Sequence, residues 1–272
     1  RLAFERGLFQ DDAQVLFDLG KYAAADPMLT AQLAIAAPIE YAPLVPEVLV
    51  LAGKTRAKLG NPDAAIQMLE DAGHRALELG LDHTAAAAWI ELVRVHGYDK
   101  SDSAKANADA RLARAVLARL HGHAYLESAL ENSVGVSKWF NADLDGADAH
   151  LQRAAELIAE SRPGQATVEQ AMITVNRGIV LQGRSRFVES LATYERGIEL
   201  LRATVGDQHP FMSAALDNRG VALLSLDRPK EALANFRQAL AITEQTLGRE
   251  HPSIPDSLTN IDTIIDEPGD TG

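Results

Sequence analysis

The segment "AALDNRGVALLSL" (Ala214–Leu226), followed by "KEALANFRQALAITEQTL" (Lys230–Leu247), decides the fold of this chain. Apolar residues in both pieces recur every three or four positions, the spacing that places them on one face of an α-helix. Between the pieces, the break at Asp227-Arg228-Pro229 ends the first helix, because proline fits the start of a helix but not its interior. The segment therefore predicts an antiparallel hairpin of two helices.

The hairpin recurs along the chain at an offset of 42 residues. The triplet Asn-Arg-Gly occurs at Asn176–Gly178 and again at Asn218–Gly220, and Asn260 continues the series. So many coincidences at one offset predict a solenoid of stacked hairpins, in which each repeat contacts its neighbours. The same offset relates Glu189 to Glu231, Leu191 to Leu233, Ala192 to Ala234, Gly206 to Gly248, and the His-Pro pair at 209–210 to that at 251–252.

Small residues mark the packing register of four predicted hairpins. A small residue in the first helix is followed twelve positions later by another in the second helix, and a large residue comes four positions further on. A bulky side chain at either small position would hold the two helices apart. The small pairs are Gly53 and Ala65, Gly135 and Ala147, Gly178 and Ser190, and Gly220 and Ala232, and the large residues are Leu69, Leu151, Tyr194 and Phe236.

This arrangement of small and large residues resembles the signature of tetratricopeptide (TPR) repeats. The 42-residue period and the connectors "VGDQHP" and "LGREHP" are similar to the repeats of kinesin light chains. The segments "YAPLVPEVLVLAG" (Tyr41–Gly53) and "AAAAWIELVRVHGY" (Ala85–Tyr98) resemble the helical region that follows the kinase domain in certain bacterial serine/threonine protein kinases. The chain departs from the usual repeat at Arg177 and Arg219, where leucine is common, and in lacking an aromatic residue shortly after the packing glycine.

The resemblance implies an all-α, right-handed superhelical solenoid of TPR-like helix hairpins. We expect one superhelix over residues 1–266, with divergent repeats in 1–123, more regular repeats in 124–251, a terminal helix at 252–266 and a disordered tail at 267–272. The expected hairpins span about 2–37, 44–79, 83–120, 124–160, 166–205 and 209–247. Turns of the second, third and fourth hairpins are expected at Gly60–Pro62, Gly97–Ser103 and Leu144–Gly146.

Composition argues against several classes of protein. The chain has 272 residues, 47% of them hydrophobic, with no cysteine and a net charge of −12. A surface of that sign repels a phosphate backbone, so nucleic acid is not an expected partner. No apolar run reaches the ~18–20 residues of a membrane span, and without cysteine there is no disulfide framework or thiolate metal site. We expect a cytoplasmic protein, and the start at Arg1 favours a piece of a longer polypeptide.

The triplet Gly53-Lys54-Thr55 resembles the end of a nucleotide-binding P-loop. Such a loop also needs a glycine five residues before Gly53, where this chain has Val48. Gly53 is moreover expected inside a helix, whose backbone N–H groups already bond to carbonyls and cannot cradle phosphate. We therefore interpret the triplet as part of the packing register.

We expect no catalytic site, metal or cofactor on this segment. His121 and His123 form a close pair, but zinc needs three or four converging ligands, so a solvated linker is the better interpretation. Serine, histidine and aspartate occur without the Gly-x-Ser-x-Gly turn that presents a nucleophile. The resemblance implies a kinase domain elsewhere in the full polypeptide, whereas this segment contains none of the glycine-rich or catalytic-loop motifs of a kinase.

Asparagines at the repeat positions are the candidate binding residues. Asn176, Asn218 and Asn260 each lie two residues before the packing position of a first helix, the side that faces the concave groove in a TPR superhelix. Carboxamides donate and accept hydrogen bonds, so a row of them can hold the backbone of an extended peptide. Asp217 would favour basic peptides. The alternative is that the asparagines bond neighbouring helices within the stack.

Arginine follows two of these asparagines, at Arg177 and Arg219. We expect these side chains to pair with carboxylates that recur at the same offset, such as Glu189 and Glu231. Contact with an acidic ligand is the alternative.

The sequence favours a non-catalytic scaffold that binds a protein or peptide. By the resemblance, it is the C-terminal interaction region of a bacterial signalling kinase and recruits substrates or regulators through the concave groove. The alternative is a self-association module that brings attached domains together.

Overall fold

A computed structural model describes residues 12–36 and 43–265, and that part of the chain is helical with no strand. Residues 12–18 form a helical segment, and a π-helical turn at Val95–Asp99 follows the fourth of the helices whose bounds are complete. Those helices are α1 Tyr22–Ala36, α2 Leu44–Lys58, α3 Pro62–Glu78, α4 Asp82–Arg94, α5 Ser103–Arg119, α6 Ala124–Phe140, α7 Leu144–Ser161, α8 Val168–Gly183, α9 Phe187–Thr204, α10 Pro210–Leu224, α11 Pro229–Thr246 and α12 Ile254–Ile265.

Consecutive helices pack as hairpins, and we call the first helix of each hairpin its A helix and the second its B helix. The hairpins are α2/α3, α4/α5, α6/α7, α8/α9 and α10/α11, α1 is the B helix that follows residues 12–18, and α12 is an A helix. The predicted all-α fold of helix hairpins is confirmed. The tail predicted at 267–272 lies outside the described residues, as do most residues of the first predicted helix.

The turn of the fourth hairpin was predicted three residues too late. The turn occupies residues 141–143, and α7 already begins at Leu144. The physical reason is a side-chain cap, because an Asp143 carboxylate oxygen accepts a hydrogen bond from the Gly146 amide at 2.9 Å. Gly146 therefore lies in the first turn of a helix, and the left-handed backbone of the turn falls on Ala142, with φ of 59°. The turn predicted at Gly60–Pro62 agrees with the structure, whereas only residues 100–102 of the turn predicted at Gly97–Ser103 lie outside helices.

The chain divides into two compact units, an N-terminal unit that ends at Pro163 and a C-terminal unit that begins at Gly164. The N-terminal core is built around Trp89, Leu69 and Leu92. The C-terminal core is built around Tyr194 and Phe236, which are completely buried. The prediction of one continuous superhelix over residues 1–266 stays a prediction.

The packing glycines lie where the A and B helices of a hairpin approach closely. A Cβ built on Gly178 would lie 2.5 Å from Tyr194 Cε1, and one built on Gly220 would lie 2.5 Å from Phe236 Cε1. The corresponding contact is 2.6 Å from Gly53 to Leu69 Cγ and 2.8 Å from Gly135 to Leu151 Cγ. Their small partners Ala65, Ala147, Ser190 and Ala232 are all fully buried.

The triplet that resembles a P-loop lies inside α2. The Thr55 side chain is fully buried, and its hydroxyl donates a hydrogen bond to the Leu51 carbonyl at 2.8 Å. Gly53 faces the Leu69 side chain of α3 rather than solvent. Because helical backbone amides are already bonded, this triplet cannot form a phosphate cradle.

Candidate peptide-binding site

The candidate site is the A face of the C-terminal unit, which we define as the surface around Asn176, Asn218 and Asn260. These asparagines lie on α8, α10 and α12, the three A helices of the unit, and each is partly exposed. The structure thus places one carboxamide on each successive A helix at the same position in the repeat.

The three carboxamides differ in their hydrogen bonds. Asn176 already has a partner within the chain. Over the ranges that the structure describes, neither the side-chain carboxamide of Asn218 nor that of Asn260 makes a hydrogen bond to another residue. The free donors and acceptors of Asn218 and Asn260 are therefore available to a ligand, while Asn176 fits the alternative in which the asparagine bonds within the stack.

Asp217 lies deeper than a simple groove residue would. Its Oδ1 atom is buried and has no hydrogen-bond partner among the described residues. Burial is the main cause that raises the pKa of this carboxyl to about 7; the Ser257 hydroxyl opposes the shift, and the negative charge of Asp256 adds to it. Since Asp256 and Ser257 belong to α12, the terminal helix lies against this carboxyl.

The prediction for the repeat arginines was wrong about their partners. Glu189 accepts hydrogen bonds from Arg186, and Glu231 accepts them from Arg228, in both cases with an N–O distance of 2.7 Å. These pairs form because each arginine precedes the helix start and its glutamate follows three residues later, within reach on the first turn. The carboxylates expected for Arg177 and Arg219 are thus already taken.

Arg219 instead connects three helices. Its guanidinium donates to Asn235 Oδ1 on α11 at 3.1 Å and to Glu195 Oε1 on α9 at 3.2 Å. Asn235 is buried, and its own amide donates to the Glu231 carbonyl at 2.7 Å. The sequence offered no signal for this network, because Asn235 replaces Thr193 of the preceding repeat. At the equivalent position, Arg177 is exposed.

A buried serine hydroxyl joins the two helices of a hairpin in both units. Ser213 donates to the Ala239 carbonyl at 2.8 Å, and Ser128 donates to the Ala154 carbonyl at 2.8 Å. Each serine lies seven residues before the packing glycine of its A helix. That spacing was the signal that sequence inspection missed, since serines in helices are usually read as surface residues.

The N-terminal unit holds a network of charges between α2 and α4. Arg94 donates to Glu91 at 2.5 Å and to Asp99 at 3.1 Å, so its positive charge is paired with two carboxylates. Burial and the nearby Arg94 charge lower the pKa of Lys58 to about 8. Two small clefts lie elsewhere in this unit, with volumes of about 140 Å³ beside Ser137 and about 330 Å³ beside Leu130.

Of the histidine pair in the linker, His123 has a structural role, whereas His121 is exposed. His123 caps α6, because its Nδ1 accepts from the Leu126 amide at 3.3 Å, and its ring packs edge-on against His83 at 4.6 Å. Across the described ranges, no group of three or more histidine, aspartate or glutamate side chains is arranged to hold a metal ion. Among the described helices, none combines the length and apolarity that crossing a membrane requires.

A family model matches part of the chain, and solved structures are similar to it in fold. The tetratricopeptide repeat family model matches residues 169–260. Among curated proteins, none matches this chain. The crystal structure of BtubC (BKLC) from P. vanneervenii is similar with a TM-score of 0.57 and 19% identity, over 85% of this chain and 92% of that one.

A second similar structure has kinesin-light-chain repeats. The putative kinesin light chain of Podosopora anserina, with nearly identical TPR-like repeats, gives a TM-score of 0.50 at 16% identity, over 76% of this chain and 99% of that one. At these identities the likeness shows the fold. Residues 169–260 therefore match the tetratricopeptide repeat family, and the chain has an all-α fold of helix hairpins similar to that of these TPR structures.

Proposed function

We propose that the chain is a non-catalytic scaffold that binds an extended peptide of a partner protein along the A face of its C-terminal unit. The TPR fold supports a protein-interaction scaffold in general. The observation that carries the finer proposal is the pair of partly exposed carboxamides on adjacent A helices, Asn218 and Asn260, whose amides make no hydrogen bond to the described part of the chain.

The chemistry of this face suits a peptide backbone. A carboxamide offers two donors and an acceptor, so Asn218 can pair with a backbone C=O and N–H whatever side chains the peptide carries. Each such bond contributes about 1 kcal/mol net. Two of them give weak affinity alone, so the surrounding side chains supply the selectivity.

The experiment compares matched asparagine variants of the full chain. Peptides are selected from a displayed library of unstructured dodecapeptides, and the best is measured by calorimetry. The Asn218→Ala, Asn260→Ala double variant should weaken binding about 30-fold, the equivalent of a net loss of about one hydrogen bond from each asparagine. Asn107→Ala, an exposed helical asparagine of the N-terminal unit, should leave binding unchanged.

Two results would contradict this function. Unchanged affinity in a folded double variant would exclude the carboxamide pair as the binding site. Failure of the library to yield any peptide would count against peptide binding itself.

We further propose that this scaffold is the cytoplasmic C-terminal interaction region of a bacterial serine/threonine kinase and recruits substrates or regulators for it. The support is the resemblance of Tyr41–Gly53 and Ala85–Tyr98 to such regions. Reading the coding sequence upstream of Arg1 tests this, because a kinase domain with a glycine-rich loop and catalytic aspartate is expected there. A reading frame with no such domain would contradict it.

Self-association is the second candidate function, and the exposed apolar residues of α12 favour it. Leu258 is 44% exposed and Ile265 is 55% exposed, and apolar surface of this kind can pair with a second copy. Sedimentation of the chain at tens of micromolar should then show a dimer that Leu258→Asp dissociates. A monomer at that concentration would exclude this candidate.

A further inference from the structure

We propose that protonation of Asp217 controls the docking of the terminal helix α12, so that docking strengthens as the pH falls through neutrality and completes the A face. This inference rests on the proposed function only for its consequence, since the docking itself can be measured without a peptide.

The helix α12 is held by one narrow face. Its buried residues are Ile254, Ser257 and Ile261, which lie three and four positions apart and so share one side of the helix. Ile261 packs in a cluster with Leu223 of α10 and Phe236 of α11. Docking therefore depends on a small set of contacts to α10 and α11.

Asp217 lies at this contact and weakens it when ionised. Its Oδ1 atom is buried without a hydrogen-bond partner in the described chain, and the carboxyl receives a hydrogen bond from the buried Ser257 hydroxyl of α12. The Ser257 hydroxyl compensates the buried carboxylate only in part, because Oδ1 has no partner, whereas the neutral carboxyl is tolerated and can itself donate a hydrogen bond. Movement of α12 away from α10 would return the group to water.

The charges around Asp217 reinforce this preference for the neutral form. On α10 itself, Arg219 is directed to Glu195 of α9 and to Asn235 of α11. On the other packed elements, α11 carries Glu231, which Arg228 binds, together with Lys230, Arg237 and Glu244; the connector carries His251, which contacts Ser253; and α12 carries Asp256 and Asp262. Among these, Asp256 is the charge that acts on the Asp217 carboxyl, and it is negative.

Thermodynamic linkage gives the direction and the size of the effect. The pKa of Asp217 is about 7 in the docked structure and 3.8 for the ordinary side chain in water. Docking raises this pKa, so protonation of Asp217 stabilises the docked helix. This stabilisation is complete below pH 3.8 and is lost as the pH rises through 7. Between pH 6 and pH 8 the docking equilibrium constant should fall about tenfold.

The consequence for the A face follows from the position of Asn260. Asn260 belongs to α12, whereas Asn218 belongs to α10. The two carboxamides occupy adjacent A helices only while α12 is docked. A fall in pH, or any cation that neutralises Asp217, would therefore favour the complete pair.

Hydrogen exchange of the full chain tests the proposal. Exchange of the amides in 254–265 is followed by mass spectrometry at pH 6 and pH 8, corrected for intrinsic rates, with 168–183 of α8 as the internal reference. In the wild-type chain, protection of α12 should fall about tenfold from pH 6 to pH 8 relative to α8. In Asp217→Asn, protection should be high and the same at both values.

Matched variants keep the outcome decisive. Asp262→Asn removes an exposed carboxylate of α12 and should retain the wild-type pH dependence. Asp256→Asn should shift the midpoint to lower pH, and it serves as the second test if Asp217→Asn does not fold. The proposal is overturned if wild-type protection changes less than twofold, or if Asp217→Asn keeps the full pH dependence, which would assign it to another group such as His251.

If α12 responds to pH as described but the asparagine double variant binds its peptide normally, the switch stands and the proposed function fails. If α12 does not respond to pH but the asparagine double variant binds its peptide more weakly, the proposed function stands and the pH-dependent docking is excluded.

Discussion

The two units of this chain build similar hairpins from sequences of very different regularity. In the C-terminal unit, repeats are recognisable at an offset of 42 residues and match the family model. The N-terminal unit lies outside that match, yet Gly53 faces Leu69 and Gly135 faces Leu151 in the same way that Gly220 faces Phe236. The shared feature is thus a close helix contact at one register position. Divergent repeats keep that contact while the surface residues and connectors change.

The third hairpin is where the N-terminal unit departs furthest from the repeat. Its A helix ends in the π-helical turn Val95–Asp99, and there a buried histidine and aspartate meet. His96 Nδ1 lies 2.6 Å from Asp109 Oδ2 on α5, while His96 Nε2 is buried with no partner in the described chain. Gly97 packs against Ser137 of α6. This hairpin is therefore held by a buried polar contact between His96 and Asp109 in addition to its apolar packing.

The largest effect is expected from removing this polar contact. Asp109→Ala leaves both ring nitrogens of His96 buried without a partner, which should lower the free energy of unfolding by about 3 kcal/mol. Urea denaturation of the full chain, followed by circular dichroism, measures the change, and hydrogen exchange of 82–119 localises it. Asp109→Asn keeps an acceptor oxygen and should recover much of the loss. Equal losses in the two variants would show that the hydrogen bond is not responsible.

The next effect tests whether the close helix contact has the same rigidity in both units. Gly178→Ala should cost about 2 kcal/mol, because the added methyl meets the buried ring of Tyr194, which has few ways to move aside. Gly135→Ala should cost about 1 kcal/mol, since the Leu151 side chain can change rotamer. Urea midpoints of the two variants give the comparison.

A glycine on the same helix provides the control. Gly183 is exposed near the end of α8, so Gly183→Ala should be neutral or slightly stabilising through the higher helix propensity of alanine. If Gly178→Ala is as mild as Gly183→Ala, the ring is not rigid, and the packing role of Gly178 has to be abandoned.

The sequence predicted local features better than long-range polar ones. Hairpins and the all-α fold follow from periodicity and from small residues at fixed spacing, and these could be read directly. The turn at residues 141–143 was misplaced because Gly146 looked like a turn residue, whereas the Asp143 cap fixes the helix start. The burial of Asp217 beneath α12 could not be read at all, since it depends on how a helix forty residues later packs.

Buried serines predict a smaller effect that should be equal in the two units. Ser213→Ala and Ser128→Ala each remove one hydroxyl bond to a carbonyl of the facing helix, worth about 1 kcal/mol. Ser213 also lies 2.6 Å from the Thr243 hydroxyl, which can take over part of the lost bonding. The losses should therefore be similar, with Ser213→Ala no larger. A much larger loss at one serine would show that the two hairpins differ in more than sequence regularity.

The smallest predicted effect concerns Arg219 and Arg177, which occupy the same position in successive repeats. The comparison tests whether they contribute equally to the free energy of unfolding. Arg219→Ala removes hydrogen bonds to Asn235 and Glu195, and because the guanidinium is partly exposed we expect a loss of about 0.5 kcal/mol. Arg177→Ala, at an exposed position one repeat earlier, should leave the urea midpoint unchanged. Added salt should narrow the difference, since Glu195 is solvent-accessible. Equal losses would mean that the repeat position sets the energy of the arginine, whereas the predicted difference would assign it to Asn235, the residue that breaks the repeat.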